Sequence, residues 1–142
     1  MKAKLIMAII LACAVQQVHA EDLGDSLHQL VTDKAHEQNV PADLAHAVIA
    51  VESHYNPRAV NQGSYGIGQI RCGTARSMGF EGRCRDLLQP AVNLTYSLAY
   101  LRAALDRVND NYCLAATLYN QGLMARPRKS AYCSRVLAHI SN

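Results

Sequence analysis

The chain has 142 residues, of which half are apolar and 18% are charged. This composition excludes an intrinsically disordered chain, and the length fits one domain with a single core. The formal net charge of +3 falls to +1 when Lys2 and Lys4 are set aside with an export signal, because 12 cationic and 11 acidic side chains remain. A near-neutral balance argues against a nucleic-acid-binding protein.

Residues 1–20 have the pattern of a cleaved signal peptide. Lys2 and Lys4 supply the positive start, residues 5–15 form a short apolar run, and Val18-His19-Ala20 supplies a cleavage site. The run is shorter than the about 20 residues that span a bilayer, so no transmembrane segment is expected after cleavage. We therefore expect an exported domain over residues 21–142. A lipid anchor on Cys13, in Ile10-Leu11-Ala12-Cys13, is the alternative.

Residues 21–142 are predicted to form an all-α, mainly helical domain with one irregular segment. Apolar residues recur at helical spacing, and proline, glycine and polar capping residues mark the ends. Thr74, Asp86, Asn111 and Ser130 are predicted as N-terminal caps, and glycines punctuate an irregular segment over residues 58–73. The predicted helices cover approximately residues 23–38, 41–55, 74–79, 90–108, 111–119 and 131–140. A helical segment is also predicted from residue 87 onward, just before the longest helix.

Glu52 is a carboxylate on an apolar helix face. Leu44, Val48 and Glu52 are spaced by four residues, so they project from one stripe of the predicted helix. Desolvation there favours the neutral carboxyl and raises its pKa, as a general acid at neutral pH requires. Periodicity alone leaves open that Glu52 turns to solvent or pairs with Arg58.

Four motifs support the catalytic interpretation. They are Glu52-Ser53-His54-Tyr55-Asn56-Pro57, Ser64-Tyr65-Gly66-Ile67-Gly68-Gln69-Ile70 followed by Gly73-Thr74-Ala75, Asn93-Leu94 with Tyr100-Leu101, and the stretch from Ala115 to Gly122 that contains Tyr119-Asn120. In this order they resemble the soluble lytic transglycosylase family, whose catalytic domain has a lysozyme-like fold. The resemblance covers about two thirds of residues 21–142.

The resemblance implies a peptidoglycan lytic transglycosylase in the periplasm. Such an enzyme cleaves the β-1,4 bond between N-acetylmuramic acid and N-acetylglucosamine and leaves a 1,6-anhydro ring. Glu52 would be the single acid and base, first protonating the leaving oxygen and then deprotonating the attacking 6-hydroxyl. The small members of the family further suggest a role with a secretion, conjugation or pilus apparatus.

The motifs also imply substrate-binding residues around Glu52. Tyr119 is expected to hydrogen-bond Glu52, and Gln69 and Asn120 to bind sugar groups. Gly66 is expected to let the backbone approach the sugar chain, and Ser53 and Ser64 are weaker candidates. The family more often has Met at Gly68 and Met-Pro at Arg71-Cys72, which predicts a difference in specificity rather than in chemistry.

Four cysteines outside the signal predict two disulfides, as is usual for a small exported domain. Of the three possible pairings we favour Cys72–Cys84, which closes a loop, and Cys113–Cys133, which joins two successive helices. A zinc site is the alternative, but no C-x-x-C or H-E-x-x-H motif occurs. We expect no metal and no cofactor.

Two other functions share this sequence pattern. A true lysozyme would use the same site with water as the acceptor, and a disulfide-stapled helical binding module would be exported but inert. Several cations are clustered in the sequence, and we interpret them as a solvated surface or as a surface that attracts the anionic wall polymer. They are Arg71, Arg76, Arg83, Arg85, Arg126, Arg128 and Lys129.

Overall fold

A computed structural model of the protein describes residues 24–141. The predicted signal peptide, and Cys13 with it, lies outside these residues. The described residues form six α-helices, one short 3-10 helix over Cys84–Leu88 and three two-residue strands. The helices are α1 (24–37), α2 (Ala42–Ser53), α3 (Cys72–Ser77), α4 (Pro90–Arg107), α5 (Tyr112–Gln121) and α6 (Ala131–Ile140). The all-α prediction is therefore confirmed.

Local sequence signals set the ends of these helices. Pro90 occupies the first turn of α4, where a missing N–H has no intrahelical partner. The side chain of Asn111 accepts a hydrogen bond from Leu114 N, and that of Ser130 accepts one from Cys133 N. Both predicted caps are confirmed, and each satisfies an N–H group that the first helical turn leaves free.

Two predicted caps are wrong. α3 begins at Cys72, so Thr74 lies inside its first turn. Asp86 does not cap the long helix, because it is the third residue of the 3-10 helix and accepts a hydrogen bond from the backbone N–H of Arg83. In both places the helix starts earlier than the capping residue type suggested.

The glycine-bearing segment contains a small antiparallel sheet rather than irregular loop throughout. Its strands are β1 (Val60–Asn61), β2 (Ser64–Tyr65) and β3 (Ile70–Arg71), in the order β1-β2-β3. Ser64 lies opposite Arg71, and Tyr65 lies opposite Ile70. Strands of two residues are too short to produce a readable alternation in the sequence.

The main core lies between α2, α4, α5 and α6. Its largest buried side chains include Leu44, Val48, Leu94, Leu98, Leu101, Leu118 and Val136, and the first two belong to the apolar stripe that the sequence predicts for α2. A smaller apolar cluster of Ile70, Ala75, Phe80 and Leu87 lies beneath the sheet. None of the helices between residues 24 and 141 combines the length and apolarity that crossing a membrane takes.

Both predicted disulfides are present. Cys72 and Cys84 close the loop after α3, with their Cα atoms 5.3 Å apart. Cys113 and Cys133 join α5 to α6 across a Cα separation of 4.8 Å. Each bridge restricts the unfolded chain, so each contributes to stability chiefly by lowering the entropy gained on unfolding.

The buried amide of Asn93 ties the sheet segment to α4. Its Nδ2 donates to Tyr65 O at 2.7 Å and to Leu87 O at 2.8 Å, while its Oδ1 accepts from Gly68 N at 2.8 Å. One side chain therefore connects the glycine segment, the 3-10 helix and α4. Because Asn93 is fully buried, water cannot replace these bonds if they are lost.

We expect Asn93→Leu to destabilise the protein by about 3 kcal/mol, because three buried backbone groups lose their partner. Urea unfolding monitored by circular dichroism measures the free energy of unfolding. Thr95→Ala is the matched control, since Thr95 bonds only the carbonyl of Ala91 in its own helix. Equal midpoints for the two variants would contradict a central role for Asn93.

Candidate active site

Glu52 lies in the last turn of α2 and is partly buried in a cleft. Burial raises the pKa of its carboxyl above the ordinary value. A hydrogen bond from Tyr132 and the positive charge of Arg135 lower that pKa, but burial outweighs them. The raised pKa shifts the carboxyl toward its protonated form, which is the form that donates a proton.

Tyr132 is the hydrogen-bond donor to this carboxyl. Its hydroxyl donates to Glu52 Oε1 at 2.6 Å from the first turn of α6, 80 residues along the chain. Burial and the charge of Glu52 raise the pKa of the tyrosine, so it remains a neutral phenol. Arg135, one turn later, lies over the ring of Tyr132 with its guanidinium carbon 5.5 Å from the ring centre.

The sequence analysis missed Tyr132 because no motif marks it. The available signal was its position on the apolar face of α6, in phase with Val136. A tyrosine buried on such a face needs a partner for its hydroxyl, so it should have prompted a search for one.

Tyr119 does not hydrogen-bond Glu52 as predicted. Its hydroxyl donates to the carbonyl of Gly68 at 2.6 Å. Burial first, and then the charge of Glu52, raise the pKa of Tyr119 well above its ordinary value, so it too stays protonated. Tyr119 therefore lies near the carboxyl and fixes the glycine segment to α5. The hydrogen bond to Glu52 that was expected from Tyr119 is made by Tyr132.

Four predicted site residues line the cleft together with Glu52: Ser64, Gln69, Tyr119 and Asn120. The side-chain amide nitrogen of Gln69 is already used, since it donates to Ala59 O at 3.1 Å and Gly66 O at 2.9 Å. No described residue donates to its amide oxygen. Gln69 thus orders the loop through its nitrogen and has its oxygen available as an acceptor.

Ser53 and Gly66 are not among the residues that line the cleft. The Ser53 hydroxyl donates to Ile67 O at 2.6 Å and so holds the glycine segment against α2. Gly66 is buried with a φ of 68°, and an added Cβ would meet Leu87 O at 2.4 Å and Asn93 Nδ2 at 2.5 Å. Close packing against the 3-10 helix and α4, rather than approach to a sugar, accounts for this glycine.

Gly68 is also fixed by packing. An added Cβ would lie 2.5 Å from Ser97 Oγ and 2.7 Å from Ser97 Cβ, both on α4. A side chain at this position would point into the protein and not into the cleft. The close approach of Ser97 therefore accounts for the glycine at this position.

The cleft has a volume of about 400 Å³ and a mostly polar lining. Among the described residues that line it, Glu52 is the only carboxylate and Arg71 the only cation. The aromatic side chains of Tyr100 and Tyr119 pack together at its base, with ring centres 5.7 Å apart. A single carboxyl with a raised pKa beside hydroxyl and amide groups is suited to general acid catalysis on a polar substrate.

A larger cavity of about 630 Å³ lies elsewhere, lined by Lys34, Phe80, Glu81, Asp86 and Tyr96 among others. It contains none of the predicted site residues. Asp86 there is partly exposed and paired with Arg83, which lowers its pKa, so it has none of the character of a general acid. Within residues 24–141 no three His, Cys, Asp or Glu side chains converge as a metal site requires.

Comparison with solved structures identifies the fold. An inactive mutant of the lytic transglycosylase Slt from Pseudomonas aeruginosa aligns over 79% of this chain, with 22% identity and a TM-score of 0.69. The 70 kDa soluble lytic transglycosylase from Escherichia coli aligns over 89%, with 22% identity and a TM-score of 0.62. The complex of the 70 kDa enzyme with bulgecin A gives 22% identity over 89% of this chain and a TM-score of 0.61.

The chain corresponds to less than a quarter of each of these proteins, between 22% and 23% of their length. The family model for the transglycosylase SLT domain matches residues 29–136, which include Glu52, the cleft and Tyr132. This match spans most of the described chain and confirms the resemblance drawn from the motifs. The protein belongs to the transglycosylase SLT domain family, with the lysozyme-like fold of its solved relatives.

Proposed function

We propose that this domain is a peptidoglycan lytic transglycosylase that cleaves the bond between N-acetylmuramic acid and N-acetylglucosamine. The observation that carries the proposal is the half-buried Glu52, held by Tyr132 in a cleft whose described lining has no second carboxylate. Family membership supports the same activity. In the Pseudomonas aeruginosa relative, the inactive mutant replaces one glutamate by glutamine.

One carboxyl is enough for the proposed reaction. Protonated Glu52 gives its proton to the glycosidic oxygen while the bond from that oxygen to C1 of the muramic acid breaks. The resulting carboxylate then takes the proton of the 6-hydroxyl as its oxygen bonds to C1, which closes the 1,6-anhydro ring and restores the acid. The substrate's own acetamido group is the proposed stabiliser between the two steps.

A second carboxylate is what most glycosidases use as a nucleophile or to activate water. Ser64, Gln69 and Asn120 offer hydroxyl and amide groups to the substrate but no base of that kind. An internal hydroxyl as acceptor avoids this requirement, because the substrate itself presents the nucleophile next to C1. The cleft composition therefore favours the anhydro product over hydrolysis.

We further propose that residues 1–20 direct export and that residues 21–142 act in the periplasm. The charged start and short apolar run support export, and the two disulfides suit an oxidising compartment. Opening the wall locally for a secretion, conjugation or pilus apparatus is the finer role that the resemblance suggests. Loss of assembly of such an apparatus in a Glu52→Gln strain would test it.

Digestion of purified sacculi tests the reaction itself. We expect soluble products with 1,6-anhydro ends, about 18 Da lighter than the reducing ends of a hydrolase, because no water is added. Mass spectrometry of the muropeptides separates the two. Products with reducing ends would identify a lysozyme, and an absence of products would support an inert binding module.

Glu52→Gln is expected to abolish release of soluble product while Glu81→Gln, on an exposed loop, leaves it unchanged. Glutamine keeps the size of the side chain but has no proton to transfer. Turbidity of a sacculus suspension and the yield of soluble muropeptides measure release. Residual activity within tenfold of the wild type in Glu52→Gln would place the acid elsewhere.

Glu52→Gln is also expected to stabilise the fold at neutral pH. The folded pKa of Glu52 lies above its unfolded value, so the folded state binds more protons, and stability falls as pH rises through the folded pKa. Glutamine removes this loss and raises the thermal midpoint at pH 7 by a few degrees. The gain should disappear below about pH 4, where both states are protonated. A lower midpoint at pH 7 would contradict the desolvation argument.

Tyr132→Phe is expected to reduce kcat by about tenfold, because one charge-assisted hydrogen bond to the acid is lost. That bond lowers the pKa of Glu52, so its loss raises the pKa and moves the alkaline limb of the pH–rate profile to higher pH. Tyr112→Phe is the control, since Tyr112 faces Asp43 away from the cleft. A lower kcat with an unmoved alkaline limb would indicate a purely structural role.

A further inference from the structure

Arg71 is the one cation among the described residues that line the cleft. It lies in β3 directly opposite Ser64 of β2, and side chains at directly opposed positions leave a sheet on the same side. Its neighbour Ile70 is buried in the small apolar cluster, whereas Arg71 is exposed. Ser64, Ile70 and Arg71 all line the cleft, so the exposed Arg71 lies in the wall that also carries Ser64.

The backbone that carries Arg71 is held on both sides. β3 pairs with β2 before it, and the next residue, Cys72, begins α3 and is bridged to Cys84. Gln69, which precedes the strand, is anchored to Ala59 and Gly66 by its side chain. Arg71 therefore extends from a fixed point of the cleft wall, so its guanidinium can search only a limited volume around that point.

Arg71 has no acidic partner within the part of the chain that the structure describes. The ion pairs there join Lys34 to Glu37, Arg83 to Asp86, and Arg102 to Asp106 and Asp110. When Glu52 is protonated, as the first step of the proposed reaction requires, the charge on the cleft lining is that of Arg71 alone. The reactive cleft is therefore electropositive and favours an anion near this wall.

The chemistry of the glycan limits what that anion is. Both sugars of the strand are N-acetylated and uncharged, and the lactyl carboxyl of muramic acid is bound in an amide to the peptide stem. The carboxylates of an intact strand are thus on the stems. A guanidinium presents a planar fork of donors that matches a carboxylate in a two-point contact, which a hydroxyl of the sugar does not reproduce.

We infer that Arg71 is a specificity-determining residue that binds a carboxylate on the muramic acid substituent and selects strands that carry it. The inference rests on the proposed function for its substrate class. The expected substrate is a stem-bearing strand, and uncharged strands of the same length bind more weakly.

Binding to the full-length mature chain with Glu52→Gln separates this inference from turnover. Calorimetry compares soluble stem-bearing glycan strands with the same strands after their carboxylates are converted to neutral methylamides. Arg71→Ala should weaken binding of the native strands about tenfold, the worth of one charge-assisted pair, and of the amidated strands by less than about twofold. Arg71→Lys should retain part of the preference, because it keeps the charge and loses the fork.

Arg76→Ala is the matched control, because Arg76 is an exposed cation one turn along α3 that does not line the cleft. An equal effect of Arg76→Ala, or equal weakening of both strand types by Arg71→Ala, would overturn the inference. Strands stripped of their stems by an amidase expose the lactyl carboxylate. A loss confined to stem-bearing strands assigns the contact to the stem, and a loss on the stripped strands shows that Arg71 also binds the lactyl carboxylate once it is free.

Failure of the proposed function gives a different result. If the wild-type chain releases no product from sacculi, the lytic activity is refuted. The calorimetric comparison would still decide whether Arg71 binds a carboxylate. With an active enzyme, the corresponding result is a higher KM of Arg71→Ala for native strands at an unchanged kcat. An unchanged KM with a lower kcat would place Arg71 in the chemistry and overturn its role in selection.

Discussion

The buried amide of Asn93 is the contact on which the geometry of the cleft depends. It holds Tyr65, Gly68 and the 3-10 helix against α4 through three hydrogen bonds. Gly66 and Gly68 are glycines because residues of the 3-10 helix and α4 lie so close to them. The sheet that carries Ser64 and Arg71 and the loop that carries Gln69 are thus built outward from α4. Burial makes each of these bonds costly to lose, so the cleft wall is defined by the core and not by its own weak strands.

The acid itself is positioned from two distant parts of the chain. α2 supplies Glu52 at its end, and α6 supplies the phenol that hydrogen-bonds it. Burial and hydrogen bonding act on the carboxyl in opposite directions, and the balance favours the proton. A carboxyl that must alternate between donor and acceptor benefits from this arrangement, since Tyr132 stabilises the carboxylate without removing the tendency to be reprotonated. The same phenol therefore serves both halves of the proposed reaction.

The parts of the fold that follow local rules were predictable from sequence. Interactions within one or two helical turns determine the apolar stripes, the caps Asn111 and Ser130, and the position of Glu52 on its helix. The disulfides follow from the loop and the pair of helices that they close. The contacts of Tyr132 with Glu52 and of Tyr119 with Gly68 were not predictable, because they join residues 80 and 51 positions apart. Their partners depend on how α5 and α6 cross α2. Gly66 was expected to face the sugar chain, but the neighbours that require a glycine there are Leu87 of the 3-10 helix and Asn93 of α4.

The bridge between Cys113 and Cys133 has a consequence for when the site is complete. Cys133 directly follows Tyr132, so the covalent link that fixes α6 to α5 lies next to the hydroxyl that orients Glu52. In a reducing compartment the thiols stay apart, and only packing then holds that end of α6. Oxidation of this pair thus adds a covalent support beside the contact between Tyr132 and Glu52.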